Sequence, residues 1–241
     1  MATPALVLEL IHRAAREQGG GSACSAGYPD LLVTAEQLSI LLGADAVQRI
    51  PVRDDSANII AWHQAGRWFD RVFDSASVFR EMGYSLDVID IQAARGDEII
   101  VDLNFPLPPD FGRSYDLVLD PGTCEHCFHI GQAAMNLASL VKPQGYLIQA
   151  MPLNAFNHGF YNINPTFFYD FYPVNGFEIL YLKGVSSIVT HPQIFDPLPF
   201  ERFHEAPRNS IMILVAKRLR AGNLQVPVQH KYQSNPKLGN E

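Results

Sequence analysis

Cysteine is scarce in this chain: three residues in 241, with Cys24 far from the close pair Cys124 and Cys127. An odd, unclustered set builds no disulfide framework, so the sequence reads as a protein of a reducing compartment, and a cytoplasmic location is expected. Long apolar runs are missing too. No stretch approaches the roughly 20 residues of a membrane helix, and Glu9 interrupts an apolar N-terminal segment that lacks the basic flank of a secretory signal. A membrane role is therefore not expected. Positive charge is in deficit, 18 Lys and Arg against 25 Asp and Glu, for a net charge of −7. Nucleic acids and anionic bilayers are recognised through basic fields, so both are excluded as main partners and a small molecule is expected instead. No P-loop and no nucleophilic Ser or Cys motif occurs.

What is present is concentrated between residues 86 and 150. LDVID, EIIVDLN, YDLVLDPGT and YLIQA read as successive strands, near-continuous apolar runs of the kind that fill buried parallel sheets. The run 86–89 closes on Asp90, 99–101 on Asp102 and 117–119 on Asp120. Ligands of open α/β sheets bind just beyond the strands' carboxyl ends, so three acids at three such tips describe a site. A carboxylate after one strand can accept hydrogen bonds from both hydroxyls of a ribose, and one a strand over can accept from an adenine amino group. Asp90 and Asp102 are the candidates for these roles, although any one tip aspartate could equally cap a helix.

Around this centre, Thr3 and Pro4 begin a helix reaching about residue 18, ended by the glycines at 19–21. LLVT at 31–34 reads as a short strand and 37–42 as helix. Residues 43–60 resist assignment, with Asp54 and Asp55 read as a solvated loop. A helix from about 69 to 82 leads into the strand before Asp90. After Asp120 the PGT turn starts a helix with Ile130, Ala133, Ala134, Leu137 and Val141 inward. Asn164 and Pro165 cap an aromatic helix. FEILYLKGV and SIMILVAKRL are late strands close enough to form an antiparallel pair at one sheet edge. The expected organisation is a single domain over residues 1–220 with an N-terminal helical extension, and a loosely held tail over 221–241.

Asp90, IIVDLNFPLP at 99–108, YDLVLDPGTCEHCF at 115–128, LVKPQGYLI at 140–148 and MPLNAFNHGFYNINPTFFYDFY at 151–172 together resemble class I S-adenosylmethionine-dependent methyltransferases. Within them, the DLN and NHGFY segments resemble a bacterial group often associated with polysaccharide or small-metabolite modification. The likeness covers roughly residues 84–182. It implies an α/β, Rossmann-like three-layer sandwich whose seven-stranded, mostly parallel sheet has the order 3-2-1-4-5-7-6 and an antiparallel edge strand. It also implies S-adenosyl-L-methionine as cofactor and S-adenosyl-L-homocysteine as product. Most class I enzymes carry a glycine-rich loop after strand one, and this sequence has no GxGxG. LLVTAEQ at 31–37 resembles a degenerate version of that motif, and 58–62 is the alternative first strand. The implied cofactor contacts are Thr34, Glu36 and Gln37, Asp90 and Ile91, Asp102, Leu103 and Asn104, and Asp120, Gly122 and Thr123.

In the resembled fold the acceptor approaches from the loops after strands four and five, which selects Glu125, His126 and His158 for catalysis. A hydroxyl acceptor benefits from a general base, and His158 is the candidate. Asn154, Asn157, Phe160, Tyr161 and Tyr169 surround it with amides and flat walls, suited to a small polyhydroxylated or aromatic acceptor. Cys124, His126, Cys127 and His129 invite a metal reading. All four fall within six positions, and one short helix cannot surround a tetrahedral ion, so no metal is expected. The function expected is O-methylation of a small metabolite or sugar-like acceptor. The alternatives are N- or carboxyl-methylation, or a methyltransferase-fold chain that binds without catalysis. Whether the chain forms a homodimer is left open by the sequence.

Overall fold

The computed structural model describes residues 2–189, 191–198 and 201–233. Along the chain, β1 (Ala2–Pro4) leads into α1 (Ala5–Gln18), β2 (Gly21–Ala26) and β3 (Asp30–Leu32), followed by α2 (Ala35–Leu42), α3 (Ala44–Arg49), α4 (Ser56–Trp62) and α5 (Ser75–Glu81). Strands then dominate: β4 (Tyr84–Asp90), β5 (Ile99–Ile100), β6 (Tyr115–Asp120), α6 (Ile130–Leu140), β7 (Val141–Asn154), α7 (Pro165–Val174), β8 (Phe177–Ser186), β9 (Gln193–Phe195), β10 (Ser210–Arg218) and α8 (His230–Gln233).

Among the described residues, eight strands form one sheet in the order β5-β4-β2-β6-β7-β10-β8-β9. The first five are mutually parallel, and β10 runs antiparallel to both β7 and β8. This is the expected 3-2-1-4-5-7-6 order of a Rossmann-like α/β fold, with one strand added. The addition is β9, which pairs antiparallel with β8 and moves β8 off the rim of the sheet, while the antiparallel β10 lies between β7 and β8 rather than at an edge.

Alternation along the central strands builds the three layers. Leu117 and Leu119 of β6, with Ile148 of β7 and Ile213 of β10, pack with Leu8 and Ile11 of α1 and Phe79 of α5. Val118, Leu147 and Leu214 point the other way, onto Ala133 and Leu137 of α6 and Phe168 and Tyr172 of α7. Each fully buried Leu or Ile contributes roughly 1.5–3 kcal/mol.

Strand one is not where the sequence places it. The run 31–34 supplies β3, which pairs with β1 in a separate two-stranded sheet, and 58–62 lies in helix α4. The central strand is β2, GSACSA, whose Ala23, Cys24, Ser25 and Ala26 are at most 1% exposed. Its start is crowded by the neighbouring strand: a Cβ on Gly21 would lie 2.5 Å from Asp116 Oδ2 of β6. A strand filled by its neighbours' side chains carries no Val-Ile-Leu signature.

Other boundaries shift for local reasons. The helix expected over 69–82 begins at Ser75, where Asp74 accepts the Ser77 amide at 2.8 Å, while Phe69 and Val72 pack beneath α4. At the tail, Leu224 packs on the core and the Gln225 amide donates to Asn175 Oδ1 at 2.6 Å, so residues near 225 are held. Further along, α8 is exposed, and residues 234–241 of that expectation lie outside the described residues. Among the described residues no helix is long and apolar enough to cross a membrane.

Candidate active site

Strand order reverses between β2 and β6, and a cleft of about 580 Å³ opens above their carboxyl ends. Such switch points are where open α/β sheets bind ligands, and this volume falls within the roughly 300–1,000 Å³ of small-molecule sites. Gly27 and Tyr28 follow β2 into the cleft, Asp90, Ile91 and Gln92 follow β4, and Thr123 and His126 follow β6. Asp55, Asn58 and Trp62 close it from the α4 side.

The loop after β2 needs one glycine rather than three. Gly27 has φ of 77°, and its amide donates to the Ile89 carbonyl at 2.8 Å, turning the chain sharply out of the sheet. Tyr28 then lies between two guanidinium groups, those of Arg53 and Arg95, each 4.8 Å from its ring centroid. Arg95 bridges Asp30 and Asp55 at 2.8 Å each, Arg53 pairs with Asp55 at 2.8 Å, and His63 Nε2 lies 3.0 Å from Asp30 Oδ2. Burial opposes the charge on Asp30, but the His63 hydrogen bond and Arg95 outweigh it and hold the carboxyl below its ordinary pKa. Asp55 is thus part of an ion network rather than a solvated loop. Gly27, Tyr28, Asp30 and Arg95 were all missed from sequence. The signal available was the Gly-Tyr-Pro punctuation after a run of small residues.

The expected cofactor contacts divide. Asp90 and Ile91 line the cleft, and among the described residues the Asp90 carboxylate accepts one long bond, 3.4 Å from the Gln92 amide. Asp102 stands at the neighbouring tip, since the Val101 amide donates to the Asp90 carbonyl at 2.8 Å, but its Oδ1 is occupied by the Asn104 amide and side chain at 2.9 and 2.8 Å. Leu103 is buried in the core, and Asn104 is tied to His129, whose amide donates to its Oδ1 at 3.0 Å.

Asp120 is fully buried. Its Oδ1 accepts the Gly122 and Thr123 amides at 3.2 and 2.7 Å and its Oδ2 accepts Gln149 Nε2 at 2.9 Å, so it shapes the turn instead of facing a ligand. Gly122 holds that turn at φ 110°, and Thr123 reaches the cleft. Thr34, Glu36 and Gln37 are not brought to the cleft. Thr34 and Gln37 cap α2 reciprocally, at 3.2 and 2.9 Å, with Glu36 exposed in its first turn.

The three expected catalytic residues converge. Glu125 and His126 sit in a short 3-10 turn after β6, and His158 comes from the loop after β7. Glu125 Oε1 lies 3.5 Å from His158 Nε2 and 3.9 Å from His126 Nε2, and the two rings are 5.2 Å apart. Glu125 is 1% exposed, and its Oε2 is buried with no hydrogen-bond partner among the described residues. Burial pushes its pKa up, an effect partly opposed by His158. Glu125 in turn raises His158, while burial and the neighbouring charge of His158 lower His126.

The NHGFY loop is fastened to this carboxylate. The Phe160 amide donates to the Glu125 carbonyl at 2.8 Å, and Asn157 turns the chain at φ 60°. Phe160 stacks edge-on against Phe128 at 5.6 Å, both rings largely exposed, and Tyr161 Oη donates to the Phe128 carbonyl at 2.8 Å. Two expected acceptor contacts serve structure instead. Asn154 Nδ2 donates to the Ala206 carbonyl at 2.7 Å, and Tyr169 packs at the core's edge on α7.

No protein family matches the sequence, and no curated protein does. Solved structures align loosely. TehB from Haemophilus influenzae is 8% identical over 86% of this chain and 60% of its own, with a TM-score of 0.42. A branched-chain polyamine synthase mutein from Thermus thermophilus, in complex with N4-aminopropylspermidine and 5'-methylthioadenosine, is 14% identical over 93% and 59%, at 0.38. A SAM-dependent methyltransferase from Thermotoga maritima is 13% identical over 89% and 92%, at 0.34. The chain thus spans about three fifths of the length of the first two. Its fold class rests on its own strand order.

Proposed function

We propose that the chain is an S-adenosylmethionine-dependent methyltransferase that methylates an oxygen of a small metabolite or sugar-like acceptor, releasing S-adenosyl-L-homocysteine. The observation that carries this reading is the Glu125–His158 pair, 3.5 Å apart, beside a cleft with an available carboxylate, Asp90, at the adjoining strand tip. Asp90 fits a nucleoside: it ends the strand next to β2, lines the cleft, and uses little of its acceptor capacity within the protein. Gly27 supplies the sharp turn after β2 that lets backbone line the cleft closely, as a bound cofactor requires.

The cofactor, when bound, supplies a methyl group already activated by a sulfonium, so positioning the nucleophile does much of the work. Glu125 Oε1 faces His158 Nε2 and holds the ring proton there. That leaves Nδ1 to take the proton of an acceptor hydroxyl. His126, kept neutral by burial and its neighbour, offers a second polar contact at the mouth. Phe128 and Phe160 give the acceptor flat apolar faces.

Calorimetric titration of S-adenosylmethionine and S-adenosylhomocysteine tests the reading first. Saturable binding weakened about 100-fold or more by Asp90→Ala is expected, since two hydrogen bonds to a charged acceptor are each worth a net of at least about 1.5 kcal/mol. His158→Gln should lower turnover at least about 100-fold with cofactor affinity unchanged. An intact wild-type fold that binds neither compound rejects the proposal.

A further inference from the structure

We infer that Glu125, His126 and His158 form a binding site for a divalent transition-metal ion, zinc or cobalt in type, that switches the proposed reaction off. The three donor atoms lie within 4.8 Å of one another, and Glu125 Oε1 is 3.5 and 3.9 Å from the two Nε2 atoms. An ion bound tetrahedrally at about 2.0–2.2 Å from each donor spaces its ligands about 3.3 Å apart. The Glu125–His158 pair is near that spacing already, the Glu125–His126 pair is about half an ångström wide of it, and the two imidazole donors, within 4.8 Å of each other, close by up to about 1.5 Å through rotation of their half-exposed rings.

The ligands come from two chain segments, the 3-10 turn after β6 and the loop after β7, which is what the set Cys124, His126, Cys127 and His129 could not provide. The segments are held in register by the Phe160 amide on the Glu125 carbonyl. Gly159 allows that approach, since a Cβ there would sit 2.8 Å from the same oxygen.

The second sign of a cation is Glu125 itself. Its carboxylate is almost wholly buried, with Oε2 unpartnered among the described residues, and the neighbouring donors are imidazoles rather than ammonium or guanidinium groups. A buried carboxylate without full compensation is costly, and a metal ion would supply the missing charge. Both imidazoles keep about half their surface in solvent, at 42% and 55% exposed, which leaves an entry path and an open coordination position. Two imidazoles and one carboxylate favour zinc, cobalt, nickel or iron over magnesium and calcium, which prefer all-oxygen shells.

Metal on His158 Nε2 places the ring's remaining proton on Nδ1, the atom that must accept a proton from the acceptor, so occupancy removes the base. That consequence rests on the proposed function; the binding does not. Cobalt(II) titrated into tag-free, chelator-treated protein should give the visible absorption of a low-coordinate ion, saturating near one equivalent. His126→Gln and His158→Gln, at half-exposed positions, should fold and weaken binding at least tenfold, and His129→Gln should bind as the wild type does. One equivalent of zinc should suppress turnover, with recovery on chelation. No saturable absorption, or absorption unaffected by both His variants, overturns the site and leaves the chelator-treated turnover as it was. Saturable binding with turnover that requires the metal keeps the site and overturns the base.

Discussion

Replacing Glu125 with Gln separates what the residue does for the fold from what it does for chemistry. The carboxylate is 1% exposed with one oxygen unpartnered, and an unsatisfied buried polar group costs about 1–3 kcal/mol, more when charged. Gln keeps the shape, removes the charge, and can donate its amide to His158. We expect Glu125→Gln to be more stable than wild type at pH 7 by about 1 kcal/mol or more, with roughly 2–4 °C in Tm for each kcal/mol at this chain length. The pH dependence has a definite sign. Glu125 has a folded pKa raised by burial, so its penalty is absent below the unfolded carboxylate value near pH 4.5, grows as pH rises toward the folded pKa, and is complete above it. The two proteins should therefore converge in acid and separate toward neutrality. Turnover should fall about 10–100-fold, because His158 keeps its ring but loses the carboxylate that fixes its proton on Nε2. Chemical denaturation at several pH values, run with a chelator alongside turnover assays, reads both effects. A variant at least 1 kcal/mol less stable at pH 7, with turnover intact, would refute the reasoning.

Arg95→Met should cost about 2–3 kcal/mol by urea denaturation, since it strips a partner from Asp30, which is 4% exposed, while His63 retains its contact. Asp30 has a depressed folded pKa, so its stabilisation is complete above the unfolded value near 4 and disappears as pH falls through the folded pKa; the gap between Arg95→Met and wild type should narrow below about pH 4. Gly159→Ala places a methyl group 2.8 Å from the Glu125 carbonyl oxygen and 2.9 Å from its Cγ. It should lift the loop and reduce kcat, with S-adenosylhomocysteine affinity by calorimetry unchanged.

The strands β6, β7 and β10 were legible because each fills space on both faces with Val, Ile, Leu or Met, and β4 and β8 because enough of their residues are apolar despite exposed positions such as Ser85, Glu178 and Leu180. The same criterion hid β2, where neighbours fill the space and the chain itself must be thin, and it promoted 31–34, whose apolar residues belong to a small sheet outside the main one. Misplacing strand one carried Thr34, Glu36 and Gln37 with it. The tip acids looked alike in sequence because the strand before each is alike. They differ in the backbone beyond the tip. Asp120 is succeeded by two amides that turn back onto it and backed by Gln149 from the next strand, whereas Asp90 opens onto a cleft. The convergence of Glu125 and His158 lay one inference further on. β6 and β7 are adjacent and parallel, with Asp120 in register with Gln149, so the loops beyond them start from the same rim of the sheet.

Asp120 and Glu125, five positions apart, are both buried acids, and their surroundings assign them opposite roles. The bonds Asp120 accepts come from its own turn and the adjoining strand, so both its oxygens are engaged in shaping the fold. Glu125 has no such support, yet two loops leave room for it. A Cβ on Gly122, already at φ 110°, would fall 2.9 Å from Glu125 Oε1, and one on Gly159 would fall 2.8 Å from the Glu125 carbonyl oxygen. Backbone that gives up side chains on both sides of an under-compensated charge sacrifices stability, and such sites are where function is concentrated. The groups that relieve the charge are the two imidazoles at its open side. A proton on His158 or a metal ion held between the rings would each complete the same carboxylate, so proton transfer and metal binding draw on a single deficit in the fold.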